Sequence, residues 1–141
     1  MKLKTEERLS SFLENYETEE ERSRALELIN SWEESIGLVL TKEQVSDCYG
    51  SIDDKLIELP TSVGIALYPK FQFYSTGILP GLMEVWKQFS PESMDPWGLS
   101  SYFMTPQREL RGMTPVEWLR SNEDLDYLLQ VVKEYNRRLS S

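Results

Sequence analysis

The chain has no histidine and a single cysteine, Cys48, among its 141 residues. Without imidazole it lacks the commonest general base and the commonest protein metal ligand. A Ser-His-Asp or Cys-His arrangement cannot be assembled from this chain alone. One cysteine excludes a disulfide framework and fits a reducing, cytoplasmic setting. Cys48 falls at the end of a short predicted helix, where the dipole opposes the thiolate, and it reads as a buried structural cysteine. No apolar run approaches the roughly 20 residues needed to cross a bilayer. The opening MKLKTEERLSSFLENYETEEE lacks the apolar core of a signal peptide. Neither GxGxxG nor GxxxxGK followed by Ser or Thr occurs, and Ser51-Ile52-Asp53-Asp54 lacks the spacing of an EF-hand loop. Nothing singles out a carboxylate pair among the 24 acids. No cofactor, metal site or catalytic residue is assigned, and the chain reads as non-enzymatic.

What is there is ordinary globular composition, 40% hydrophobic and 28% charged, at the size of one domain or two small modules sharing a core. The net charge of −9 is uneven: residues 1–60 carry seven Lys/Arg against fifteen Asp/Glu, residues 61–141 eight against nine. An acidic front half repels a phosphate backbone, which disfavours nucleic-acid binding. It serves solubility or a basic partner surface.

The periodicity predicts a mainly α fold, a multi-helix bundle with a short β-hairpin, or wing, near residues 56–68. Thr5 is placed to cap a first helix with Leu9, Phe12, Leu13 and Tyr16 on one stripe. Thr18 and Glu21 form a capping box for a second, which carries Ala25, Leu28, Ile29, Trp32 and Ile36 on one face and stops at Gly37. Residues 1–37 thus make an acidic helical hairpin, which either packs on the rest or forms a dimer interface. Residues 38–74 hold a helix-turn-helix-like element. Thr41 and Gln44 cap its first helix, Gly50 is its turn, and residues 51–58 are its presumed recognition segment. That segment sets Asp53, Asp54 and Glu58 against Lys55 alone, whereas a groove-reading helix brings Arg, Lys, Asn or Gln. Leu56–Leu59 read either as a wing strand or as the end of the preceding helix, Val63–Tyr68 as the other wing strand, and Tyr68 to Phe73 as an extended aromatic segment.

Residues 75–141 are predicted helical. Thr76-Gly77 is a turn, Pro80 opens a helix with Leu82, Val85, Trp86 and Phe89, and Ser90-Pro91-Glu92-Ser93 breaks it. Asp95 and Pro96 start the next helix, carrying Trp97 and Phe103. Thr114-Pro115-Val116-Glu117 is the sharpest local signal: a cap, proline at the first position and glutamate at the third. Leu110 to Met113 should form a glycine-bearing turn, and Trp118 should face inward. A last helix begins near Glu123, with Leu125, Leu128, Leu129, Val132, Tyr135 and Leu139 as its stripe.

Several of these residues follow one another in a familiar order. Tyr68-Pro69-Lys70-Phe71-Gln72-Phe73, Leu79-Pro80-Gly81-Leu82, Phe103 with Thr105-Pro106, and Leu110-Arg111-Gly112-Met113-Thr114-Pro115-Val116-Glu117-Trp118-Leu119 together resemble bacterial antitoxin-like proteins with an Xre/MbcA/ParS-type toxin-binding domain. Leu40-Thr41-Lys42-Glu43-Gln44-Val45 is similar to the helix-turn-helix that often precedes it. The resemblance covers residues 38 onward. It differs at Pro106-Gln107, where the family has Pro-Asn, at Arg111-Gly112, where it has two glycines, and at Phe103, where it has tryptophan. Residues 5–36 have no counterpart in it.

The resemblance implies a helical, often dimeric protein that binds a cognate toxin. The usual partner is a RES-type enzyme that degrades NAD and is blocked by occlusion of its active site. Leu110, Arg111, Met113, Val116, Trp118, Tyr135 and Arg138 are the candidate partner-binding residues, supplying the contact or its support. Two other readings stay open: a DNA-binding regulator of the helix-turn-helix type, and an orphan structural or accessory protein.

Overall fold

The computed structural model describes residues 4–50, 55–75, 77–89 and 94–140. Helices dominate it, with two small antiparallel two-stranded sheets. The first predicted helix is split into α1 (Thr5–Arg8) and α2 (Ser10–Leu13), because the backbone leaves helical geometry at Leu9, φ −107° and ψ 20°. Thr5 does not cap. It lies in the first turn and donates its hydroxyl to Glu33 Oε1 at 2.8 Å. Thr18 accepts from the Glu21 amide at 3.1 Å and starts α3 (Glu19–Ile36), which ends at Gly37 with φ 82°. Leu9, Phe12 and Leu13 pack with Ile29 and Ile36, so the N-terminal helices close on one another.

A buried ion pair ties this corner together. Arg8 and Glu33 keep only 12% and 8% of their side-chain surface. The guanidinium bonds both carboxylate oxygens and the Val39 carbonyl, while the Val39 amide donates to Glu33 Oε2 at 2.8 Å. Gln44 Nε2 reaches the Arg8 carbonyl at 2.8 Å. A buried charge pair persists only when its remaining hydrogen-bonding capacity is filled in this way.

β1 (Val39–Leu40) leads into α4 (Lys42–Tyr49), whose Thr41–Gln44 capping box is complete. The helix-turn-helix does not continue as expected. Residues 51–54 lie outside the described residues, and residues 55–58 are not helical. Instead the fully buried Gln72 amide clasps Ile57, accepting from its N–H at 2.7 Å and donating to its carbonyl at 3.0 Å. The wing shrinks to one antiparallel bridge, Leu59 to Leu67. Tyr68 does not extend it. β2 (Tyr68–Pro69) pairs with β1 instead, Leu40 opposite Tyr68. Residues Lys70–Gln72 form a 3₁₀ turn rather than extended chain. Cys48 is exposed, not buried.

β3 (Phe73–Tyr74) pairs with β4 (Gly77–Ile78), so Gly77 starts a strand, and Thr76 lies outside the described residues. Helix α5 (Leu82–Trp86) begins two residues after Pro80, capped by Gly81 with φ 84°. A Cβ at Gly81 would stand 3.0 Å from a Leu119 methyl and 3.2 Å from one of Leu125, so glycine serves both the backbone and the close approach. The expected break at residues 90–93 also lies outside the described residues. Helix α6 (Pro96–Phe103) is capped by Asp95, which accepts from Gly98 at 3.1 Å.

Helices α7 (Pro115–Arg120) and α8 (Leu125–Ser140) complete the chain. Phe103, Leu79, Leu82, Leu110 and Leu128 form the centre of the main core, where each contributes about 1.5–3 kcal/mol by burial. The N-terminal helices dock on it through α3 and α6. The Trp32 and Trp97 rings are 5.5 Å apart, Ser35 bonds Ser101, and Trp97 Nε1 donates to the Pro60 carbonyl at 2.7 Å. No described helix is long and apolar enough to cross a membrane.

Candidate partner-binding site

The segment from Gln107 to Arg120 is built by short-range bonds that its sequence dictates. Gln107 N–H donates to the Met113 carbonyl at 2.9 Å and Gly112 N–H to the Gln107 carbonyl at 3.0 Å, closing the loop on itself. Within it Arg108–Leu110 make a 3₁₀ turn, and Arg111 and Gly112 both take positive φ, 59° and 83°. Thr114 and Glu117 then exchange the two bonds of a complete capping box, each 2.9 Å, with Pro115 at the first position of α7. Arg120, at the far end, donates to the Phe71 and Phe73 carbonyls at 3.1 Å and pins α7 to the 3₁₀ turn.

The predicted residues divide by depth. Leu110, Val116 and Trp118 are buried core residues, Met113 and Tyr135 are half-buried, and Arg111 and Arg138 are exposed. Trp118 faces inward as expected, and its Nε1 donates to the Asp124 carbonyl at 2.8 Å. Its ring is covered by two exposed neighbours. The Arg111 guanidinium carbon lies 5.4 Å from the ring centroid, and the Tyr127 ring is 5.5 Å away. Arg111 also approaches Glu123 at 3.5 Å. Tyr135 packs on Tyr102, centroids 4.3 Å apart, and Arg138 approaches Glu134 at 3.6 Å.

The structure brings Arg111, Trp118, Tyr135 and Arg138 to one side of the molecule, along α8. Two neighbouring depressions lie there, about 340 and 390 Å³, sharing Glu109 and Tyr127. The first is bounded by Arg111, Trp118 and Glu123, the second by Tyr102, Tyr135 and Arg138. Tyr127 joins helix to loop by donating its hydroxyl to the Glu109 carbonyl at 2.8 Å. Glu134 is held below the usual carboxylate range by its hydrogen bond to Arg137, with Arg138 adding to the effect. Tyr102, Glu109 and Tyr127 escaped the sequence reading. The one signal, for Tyr127 alone, was the i, i+4, i+7, i+11 spacing of Tyr127, Val131, Glu134 and Arg138, a second stripe beside the apolar one.

The exposed positions of α4 include Lys42, Glu43, Ser46 and Asp47, one base against two acids. No protein-family model, curated protein or solved structure matches the chain.

Proposed function

We propose that the chain is a non-enzymatic, antitoxin-like binding protein that docks on and neutralises a partner protein through the face formed by residues 107–113 and α8. One observation carries the reading. The loop and α7 are fixed by their own hydrogen bonds, and they hold exposed Arg111 and Tyr127 against the ring of buried Trp118. Arginine and aromatic anchors on a pre-ordered surface are what dominate protein interfaces, because little freedom is lost on docking. Leu110, Val116 and Trp118 act as the scaffold of that face; Arg111, Tyr127 and Arg138 act as its contacts. The resemblance of the Leu110 to Leu119 string makes a toxin of the RES type the first partner to test, and a homodimer would present the face twice.

The test is co-expression with the product of the adjacent reading frame, followed by purification through this chain. A stoichiometric complex is expected, weakened at least about tenfold by Tyr127→Ala or Arg111→Gly, as for interface anchors. A partner retained equally by both variants would overturn the assignment of this face. Failure to retain any partner would overturn the binding role.

A further inference from the structure

Among the described residues the most exposed large hydrophobic side chain lies away from α8. Leu28, in the middle of α3, keeps 61% of its surface. It borders a groove of about 650 Å³ between α3 and the loop at residues 60–63, walled also by Tyr16, Trp32, Pro60, Val63 and Trp97. None of the groove's lining residues belongs to the two depressions along α8.

Hydrogen bonds at both ends hold the groove in shape. Trp97 Nε1 donates to the Pro60 carbonyl at 2.7 Å, and Ser62 donates its hydroxyl to Tyr16 Oη at 3.3 Å. Between them Thr61 donates to the Ile65 carbonyl at 2.6 Å and closes the loop on itself. A wall ordered in advance loses little freedom when an occupant enters. The α3 positions of the lining run from Glu21 to Trp32, about 17 Å of helix or about three turns.

Charge selects the occupant. Glu17, Glu20, Glu21 and Glu27 are exposed at or beside lining positions, and Arg24 is the one base that stands with them. Arg24 approaches Glu20 at 3.9 Å, while Arg22 bonds the Leu13 and Tyr16 carbonyls. Residues 60–65 carry no charge to offset the acids. A second copy laid α3 to α3 would set these carboxylates against one another, and like charges across an interface oppose docking. A basic segment is drawn to the same rim.

We infer that the groove receives a basic amphipathic helix of a protein other than the one that docks along α8. Apolar side chains of that helix, spaced i, i+3 or i+4 and i+7, enter between Leu28 and Trp97, and its Lys or Arg side chains meet Glu20, Glu21 and Glu27. The acidic excess of residues 1–60 thereby acquires a binding role.

Nitrogen-labelled full-length protein titrated with a synthetic helical peptide tests this by NMR. The peptide has about 14 residues, leucine on one face and lysine on the other, and its control carries glutamate for lysine. Saturable shifts are expected at the indole N–H groups of Trp32 and Trp97 and at the Leu28 amide, with the Trp86 and Trp118 indoles unmoved. The glutamate peptide should bind at least about tenfold more weakly, and added salt should weaken the lysine peptide. Leu28→Ser, at an exposed position, should weaken binding at least about fivefold, and Glu20→Gln with Glu27→Gln about threefold to tenfold. No saturable shift up to millimolar peptide, equal binding of the two peptides, shifts centred on Trp118, or undiminished binding by Leu28→Ser overturns the proposal. Self-association without peptide that Leu28→Ser abolishes would give the groove to a second copy and also overturn it. A partner captured through α8 should be retained by Leu28→Ser; its loss would overturn the separate occupant.

Discussion

Arg111 lies over the ring of Trp118, guanidinium carbon 5.4 Å from the centroid, on a backbone with φ 59°. That conformation costs a non-glycine residue roughly 1–2 kcal/mol. The cation–π contact, about 0.5–1 kcal/mol at an exposed site, offsets part of the strain. Arg111→Gly should therefore leave stability within about 1 kcal/mol of the parent by urea denaturation, while partner binding falls. A loss of stability and binding together would make Arg111 a structural residue.

Tyr102→Phe removes a hydroxyl with no hydrogen bond among the described residues. Stability at neutral pH should be unchanged or rise by up to about 1 kcal/mol, since an unpaired buried polar group is a cost. At high pH the sign is also defined. The folded-state pKa of Tyr102 is about 12, above its unfolded value near 10, so the folded chain holds a proton that the unfolded chain releases. Stability is full below pH 10 and declines as pH rises toward 12, and Tyr102→Phe should make that alkaline decline shallower.

Glu33→Ala strands Arg8 and the Val39 amide in a buried corner. A loss of about 3–5 kcal/mol is expected from the urea midpoint. Replacing the pair together, Arg8→Met with Glu33→Leu, should restore more than half of it, because no lone charge is left.

Gln72→Leu tests the clasp that holds residues 55–58 out of a helix. It deprives the Ile57 N–H and C=O of their partner. A cost of about 2 kcal/mol is expected, with hydrogen exchange at Ile57 accelerated before that of α8.

The features that were legible in sequence are those closed within four residues. The Thr41–Gln44 and Thr114–Glu117 boxes and the Asp95 cap ahead of Pro96 all follow from side chains bonding their own turn. Where the reading failed, a distant partner decided. Thr5 gives its hydroxyl to Glu33 instead of capping, Tyr68 pairs with Leu40 instead of extending the wing, and Gln72 claims Ile57 from the expected recognition helix. The candidate site divides the same way. The turn at Arg111-Gly112 was visible, but Tyr102, Glu109 and Tyr127 come from three separate elements and meet only in the fold.

The claim that the face along α8 is the partner surface is tested most directly by hydrogen–deuterium exchange on the purified complex. Slowed exchange is predicted in residues 107–113 and 125–138, with α3 and α4 unchanged. Protection confined to α3 or α4, with the α8 face as exposed as in the free chain, would contradict the account.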